Sequence, residues 1–279
     1  MLKKIYSQII CYNEIVLQYI FMSHDVDWRR QGAPIDHIVA RKERFDPKIV
    51  QNAHIKNPYY NLPDYMYLEE KYNTRSTFFF RTIYENGNYQ DYEDDIRALY
   101  EGNWEIGLHC DPLSINDLGK IQDEKKKLEE LSRHPIKANR SHYLAFSNKL
   151  PTILNSLGFL YDSSYRKSKD KIDKEEMGYN ILDGIIEFPV TLMDAYLFTY
   201  MNIQEDKIVD IFRHTLDYAK NQNKEFNVIT VIWHDNVLKM KGGRAYENIL
   251  EYLSGQEDTV ISRGIDVANL IIKGKVPHN

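Results

Sequence analysis

Two carboxylates stand one residue apart in Ser23-His24-Asp25-Val26-Asp27, where an apolar run ends. Alternate residues of a strand share a face, so Ser23, Asp25 and Asp27 point together while His24 and Val26 point the other way. Two buried carboxylates this close cannot both stay ionised without compensation, which a divalent cation or an arginine supplies. The chain offers both. His109, Arg140, His142, Asp162, Asp194 and the pair His234-Asp235 each fall at or just after the end of another apolar run. Acids, imidazoles and one guanidinium form a set suited to metal-assisted hydrolysis, in which an open His/Asp site activates water.

Such a set works only if separate strand ends share one mouth. Seven short runs rich in β-branched and aromatic residues satisfy that need, at 18–23, 76–81, 104–109, 136–142, 159–163, 185–192 and 227–234. Helical patterns separate them. Asn61 before Pro63 opens one, 123–131 carries a charged face, and Ser147 opens another that stops at Gly158. Over 203–222, Ile203, Ile208, Ile211, Phe212, Leu216 and Ala219 keep near one face. The alternation predicts an α/β fold, a distorted (β/α)7-type barrel of parallel strands with its active site at the C-terminal strand ends, in a single domain over 1–279. Residues 28–60, which are basic, and 166–184, which are Lys-rich, escape the scheme. Both follow strands, and excursions there build the rim of a barrel's active site, so both are expected to shape the substrate.

Taken in order, these residues resemble the motifs of the polysaccharide deacetylases of carbohydrate esterase family four, from about Ile20 to Val237. Asp25-Val26-Asp27 resembles the first motif, Ile106-Gly107-Leu108-His109 the start of the second, Arg140-Ser141-His142-Tyr143 the third and Ile232-Trp233-His234 the fifth. The stretches from Gly158 to Ser164 and Glu187-Phe188-Pro189-Val190 are also similar to that superfamily. The resemblance implies that Asp25 is a catalytic base held ionised by Arg140, that Asp27 and His109 bind metal, and that His234 is the general acid. The family's second motif histidine is replaced by Leu113, and His142 stands where proline is usual. His142 is therefore the nominated third ligand, with Asp111 its rival. The Tyr143 backbone N–H would face the oxyanion, Asp194 is counted among the substrate-contacting residues, and either Asp162 or Asp194 could raise the pKa of His234. The implied activity is metal-dependent removal of an N-acetyl group from a sugar, with Zn²⁺ the foremost divalent ion, in surface polysaccharide biosynthesis. The substrate would be an N-acetylated sugar, free or nucleotide- or lipid-linked. Two alternatives keep the barrel: hydrolysis of another linear C–N bond, and a catalytically silent glycan-binding protein motivated by Leu113.

Bulk properties exclude other classes. The 279 residues carry a net charge of −5 and no basic block that would track a phosphate backbone, so nucleic acid is not an expected partner. No run of eighteen apolar residues is present, so no membrane span is expected. Cys11 and Cys110 are too few for a disulfide framework and suit a reducing compartment. The first residues lack a clean apolar core of signal-peptide length, and the expected location is cytoplasmic. Among the 21 tyrosines, Tyr59, Tyr60 and Tyr196 are the candidates for stacking on a sugar. His37, His54, His134, His214 and His278 are expected at the surface or rim, with His54 the one to watch.

Overall fold

The structure, a computed structural model, describes residues 17–173, 176–222 and 226–274. Cys11 and His278 lie outside them. One mostly parallel sheet organises the chain. Its strands are β1 (Gln18–Val26), β2 (Thr77–Phe80), β3 (Glu105–Cys110), β4 (Ala138–Ser141), β5 (Tyr161–Asp162), β6 (Asn180–Leu182), β7 (Ile185–Glu187), β8 (Leu192–Met193), β9 (Asn227–Ile232) and β10 (Thr259–Ser262). The order is β6-β7-β5-β4-β3-β2-β1-β9-β8, with β10 paired to β1. This is the expected α/β barrel, curled rather than fully hydrogen-bonded around its circumference.

Parity along β1 explains its position at the centre. Ile20 and Met22 pack outward, in the layer shared with the helices, whereas Phe21 packs inward with Phe79, Ala138, Tyr161 and Phe188. That inner cluster continues to Val267, Ala268 and Ile271 of the helix Gly264–Ile272, which closes the barrel floor. β1 is nine residues long because it has two neighbours in succession on one side: Gln18 to Phe21 pair with β10, and Ser23 to Val26 pair with β2. On its other edge Gln18 to Ser23 pair with β9. The apolar floor thus lies at the N-terminal ends of the strands, and the polar residues of β1 are carried to the opposite mouth.

Several boundaries differ from the pattern in the sequence, each for a local reason. The run 185–192 is two strands, because Pro189 has no N–H to continue a ladder. Before it the Phe188 N–H donates to Asp162 O at 2.9 Å, and after it the Thr191 N–H donates to Thr230 O at 3.0 Å. The segment therefore steps from the β5 edge to the β9 edge and bridges the gap between the two ends of the sheet. The polar stretch 166–184 ends in an unexpected strand, β6, antiparallel to β7. Asp183 and Gly184, at φ 48° and 85°, make the two-residue turn that a tight hairpin requires. β10 was also unexpected, since Thr259–Ser262 is only four residues long and half-buried over most of its length. The helix expected over 203–222 is regular from Ile208 to Lys220, after a 3₁₀ turn at Glu205–Lys207. No helix among the described residues is long and apolar enough to cross a membrane.

Candidate active site

The inward face of β1 carries Ser23 and Asp25, and Asp27 follows where the strand ends. On β3, Gly107 and His109 share the inward face, and on β4 His109 is in register with Arg140. Gly107 is required there: a Cβ would stand 2.5 Å from the Phe79 ring. That ring supports the Arg140 guanidinium, 4.3 Å from its centroid. The guanidinium is fully buried and has a partner for each nitrogen. Nη1 donates to Asp25 Oδ1 at 2.7 Å and to Ser23 Oγ at 2.8 Å, Nη2 donates to Ser163 Oγ at 2.9 Å, and Nε donates to Ser163 O at 3.0 Å. Burial alone would raise the Asp25 carboxyl, but Arg140, His109 and His234 outweigh it and hold Asp25 below the usual carboxylate range. Its second oxygen, Oδ2, lies 3.7 Å from His109 Nε2.

His109 is locked in one orientation. Its Nδ1–H donates to the Arg140 carbonyl at 2.8 Å, which leaves the Nε2 lone pair facing the mouth. His142 follows β4, where Tyr143 and Leu144 adopt φ of 59° and 51°. Two successive left-handed residues without glycine cost on the order of 1–2 kcal/mol each. The strained turn returns the His142 ring to the site. Its Nδ1 is 3.2 Å from Asp27 Oδ1 and 3.2 Å from His109 Nε2, and His109 Nε2 is 3.3 Å from Asp27 Oδ1.

These three separations provide a test of metal fit. Ligand atoms at about 2.0–2.1 Å from a tetrahedral Zn²⁺ stand roughly 3.3–3.4 Å from one another. The observed edges fall close to that length. Asp27 Oδ1 is buried and accepts no well-aligned hydrogen bond, although two imidazole nitrogens face it. Burial opposes ionisation of Asp27, yet His109, His142 and the more distant His234 hold its carboxyl well below the ordinary range. One carboxylate oxygen and two imidazole nitrogens, with a fourth direction open, are placed to hold a divalent ion.

His234, just beyond β9, faces this group from the other side, its Nε2 3.7 Å from Asp27 Oδ2. Asp194 clamps it twice: Nδ1–H donates to Asp194 Oδ1 and the backbone N–H to Oδ2, both at 2.7 Å. Burial opposes the imidazolium, but Asp194, with Asp27 and Asp25, pushes the pKa up to about 10. Asp162 has no part in this clamp. It accepts from Asn139 Nδ2 at 2.8 Å and Ser164 Oγ at 2.7 Å. Asp235 is fully buried, and burial and the neighbouring Asp27 raise its carboxyl well above the usual range.

Other sequence candidates are elsewhere. Asp111 caps its own turn, accepting from the Leu113 N–H at 2.9 Å, and Leu113 is 81% exposed. Tyr143 is exposed and lies against the His142 ring, 3.8 Å between centroids. Tyr59 is buried on the wall of the cavity in front of the site, whereas Tyr60 donates to Asp95 Oδ1 at 2.6 Å and Tyr196 is buried beneath Arg166. His37 lines the same cavity, His134 stacks on Tyr100, and His54 and His214 are exposed. Of the two expected rim excursions, 28–60 lines this cavity, and the described part of 166–184 contributes no residue to it. Trp28, Phe198 and Lys241 also line it and were not singled out from the sequence. Trp28 had a signal, as the aromatic residue directly after Asp27.

The sequence matches no protein-family model and no curated protein. Solved structures do match. A protein assigned as a polysaccharide deacetylase from Mycobacterium smegmatis is 16% identical, with 96% of this chain and 94% of that one covered and a TM-score of 0.65. An allantoinase is 14% identical, with 92% and 91% covered and a TM-score of 0.64. A protein assigned as a polysaccharide deacetylase from Pseudomonas aeruginosa is 14% identical, with 90% of each chain covered and a TM-score of 0.62. The chain has the fold of the polysaccharide-deacetylase superfamily. At these identities the chemistry has to be argued from the site itself.

Proposed function

We propose that this chain is a metal-dependent hydrolase that removes the acetyl group from an N-acetylated sugar, in the building of a surface polysaccharide. The observation that carries the reading is the triangle of Asp27, His109 and His142, with edges of 3.2–3.3 Å, set between a base-like Asp25 and an acid-like His234. Zn²⁺ suits this donor set, and a divalent ion held there lowers the pKa of water from about 16 to about 7. Asp25, kept ionised by Arg140, takes a proton from the attacking water. His234 stays protonated through Asp194 and delivers its proton to the departing amine nitrogen. The backbone N–H of Tyr143 donates to the oxygen that gains negative charge. The fold likeness to polysaccharide deacetylases supports the acyl group and the sugar. Cys110 is a buried free thiol, which accords with a reducing compartment, and we place the reaction in the cytoplasm.

The fold is equally like that of an allantoinase, so hydrolysis of another linear C–N bond is the second reading. Metal-loaded protein assayed for acetate release against N-acetylated sugars, and for ammonia or urea-type products against linear amides and ureides, separates the two. Acetate release that depends on Asp25 supports the first. Turnover of ureides alone replaces it with the second, and no turnover of either class overturns both.

A further inference from the structure

The cavity in front of the site has a volume of about 610 Å³, and Asp27 and His234 line one end of it. That is within the range of pockets that enclose a small organic ligand. Arg41, Arg44 and Lys241 line the same cavity, and among the described residues Asp27 is its sole acidic lining residue. The chain as a whole is anionic, at −5, so this concentration of positive charge runs against the overall balance.

The three cations are largely uncommitted. Among the described residues no carboxylate lies within 4.0 Å of the charged nitrogens of Arg41 or Lys241. Lys241 Nζ donates to the backbone carbonyl of Glu43 at 3.0 Å, and Arg41 Nη1 reaches the His37 carbonyl at 3.5 Å. Arg44 has Glu43 at 3.9 Å, a pair exposed on both sides and worth little in water. The field they create is felt inside the cavity: burial, Arg41 and Arg44 together depress the pKa of His37. Arginines that line a cavity with at most a weak, exposed ion pair between them suit an oxyanion, because the guanidinium fork matches phosphate oxygens two at a time. Trp28 and Tyr59, in edge contact at 5.0 Å on the same wall, provide apolar surface for a ring.

We infer that the substrate is a phosphate-bearing N-acetylated sugar, whose phosphate is held by Arg41, Arg44 and Lys241 while its amide reaches the metal site. The inference rests on the deacetylase reading for the amide, but not for the phosphate. Sugar 1-phosphates and nucleotide-linked sugars share this chemistry, and a neutral glycan lacks it. Steering by the three cations also gives binding a salt dependence.

The test is isothermal titration of the metal-loaded protein, and of Asp27→Ala, with N-acetylglucosamine 1-phosphate, UDP-N-acetylglucosamine and the neutral methyl glycoside, alongside an acetate-release assay of each. Both phosphorylated sugars are expected to bind at least 30-fold more tightly than the glycoside, with the preference shrinking in 0.5 M salt. The double variant R41Q/R44Q, altered at accessible positions, is expected to reduce it to threefold or less. Asp27→Ala should keep it. Tighter binding of the nucleotide sugar than of the 1-phosphate adds a role for Trp28 and Tyr59, and equal binding restricts recognition to phosphate; both support the site. Equal affinity for charged and neutral sugars, a preference that survives in R41Q/R44Q, or one lost in Asp27→Ala overturns it. If the preference holds and depends on the arginines while no sugar releases acetate, the deacetylase reading fails and the phosphate site stands. If the wild type and R41Q/R44Q release acetate equally from charged and neutral sugars, while Asp27→Ala releases none, the reverse is true.

Discussion

Consecutive residues of β1, His24 and Asp25, belong to two buried polar clusters with similar ingredients and different ends. Outside the barrel, His24 Nδ1 meets Trp233 O at 2.6 Å and Nε2 meets Glu69 Oε1 at 2.8 Å. Ser76 Oγ and Tyr246 OH donate to the same Glu69 oxygen, and Trp104 Nε1 donates to the other, each at 2.8 Å. Both ring nitrogens and both carboxylate oxygens are occupied by protein. Inside the barrel, Asp27, His109 and His142 bring three electron-pair donors within 3.3 Å of one another, with Asp27 Oδ1 unsatisfied and a cavity beside it. Histidine and carboxylate make a strut where each polar atom has a protein partner of its own, and a site where two ring nitrogens and a carboxylate oxygen converge beside a cavity. Which of the two forms is decided by strand parity.

The comparison can be broken most forcefully inside. Asp25→Asn should lower kcat by about 10²–10⁴ while the metal content stays unchanged, since the proposed base is lost and no proposed ligand is. Metal lost together with activity would make Asp25 a ligand and collapse the division of labour. Outside, the effect should be on folding. Glu69→Ala strips four donors of their acceptor in a fully buried place, and denaturant titration should show a loss of about 3–5 kcal/mol, with the folded fraction still binding metal. A stable but metal-free Glu69→Ala protein would mean that the two clusters are one.

A smaller effect is expected at Asp194. In the proposed mechanism His234 works only while protonated, and activity is lost as pH rises through its pKa, which Asp194 helps to push up to about 10. In Asp194→Asn the alkaline limb of the kcat/KM profile should move down by a pH unit or more, so the loss of activity is greatest at the alkaline end of the profile and small at pH 6. A uniform loss at every pH would assign Asp194 a merely structural part. The smallest effect belongs to the barrel floor, where Glu105 accepts from Thr77 Oγ1, Tyr161 OH and the Ile265 N–H. Burial, offset in part by these donors, raises its pKa from 4.5 to about 7. A raised folded-state value gives stability that is complete below pH 4.5 and lost as pH climbs through 7, to a total of about 3 kcal/mol at most. Glu105→Gln should flatten that slope in urea titrations between pH 4.5 and 8. An unchanged slope would place the ionisation elsewhere.

The division between the clusters was legible in the sequence because parity is a property of the chain alone: Asp25 and Asp27 on one side, His24 on the other. So was the set of strand ends, and the nomination of His142, which the fold sets beside Asp27 and His109. What was not legible depended on distant partners. Nothing near His24 announces Glu69, which comes from the helix Leu62–Lys71, and the choice of Asp194 over Asp162 rests on which carboxylate the barrel's closure carries to His234. The split at Pro189 was visible as a proline, but its role in crossing from β5 to β9 needs the sheet order. The cationic wall escaped because Arg41, Arg44 and Lys241 are some 200 positions apart in part, and a cavity is not a pattern.

The central claim is that Asp27, His109 and His142 hold a divalent ion. Elemental analysis after loading with Zn²⁺ and removal of excess, on the wild type, Asp27→Ala and His142→Ala, tests it directly. The account predicts close to one ion per chain in the wild type and little in either variant. A wild-type protein that retains no metal, or a His142→Ala protein that retains as much as the wild type, would contradict it.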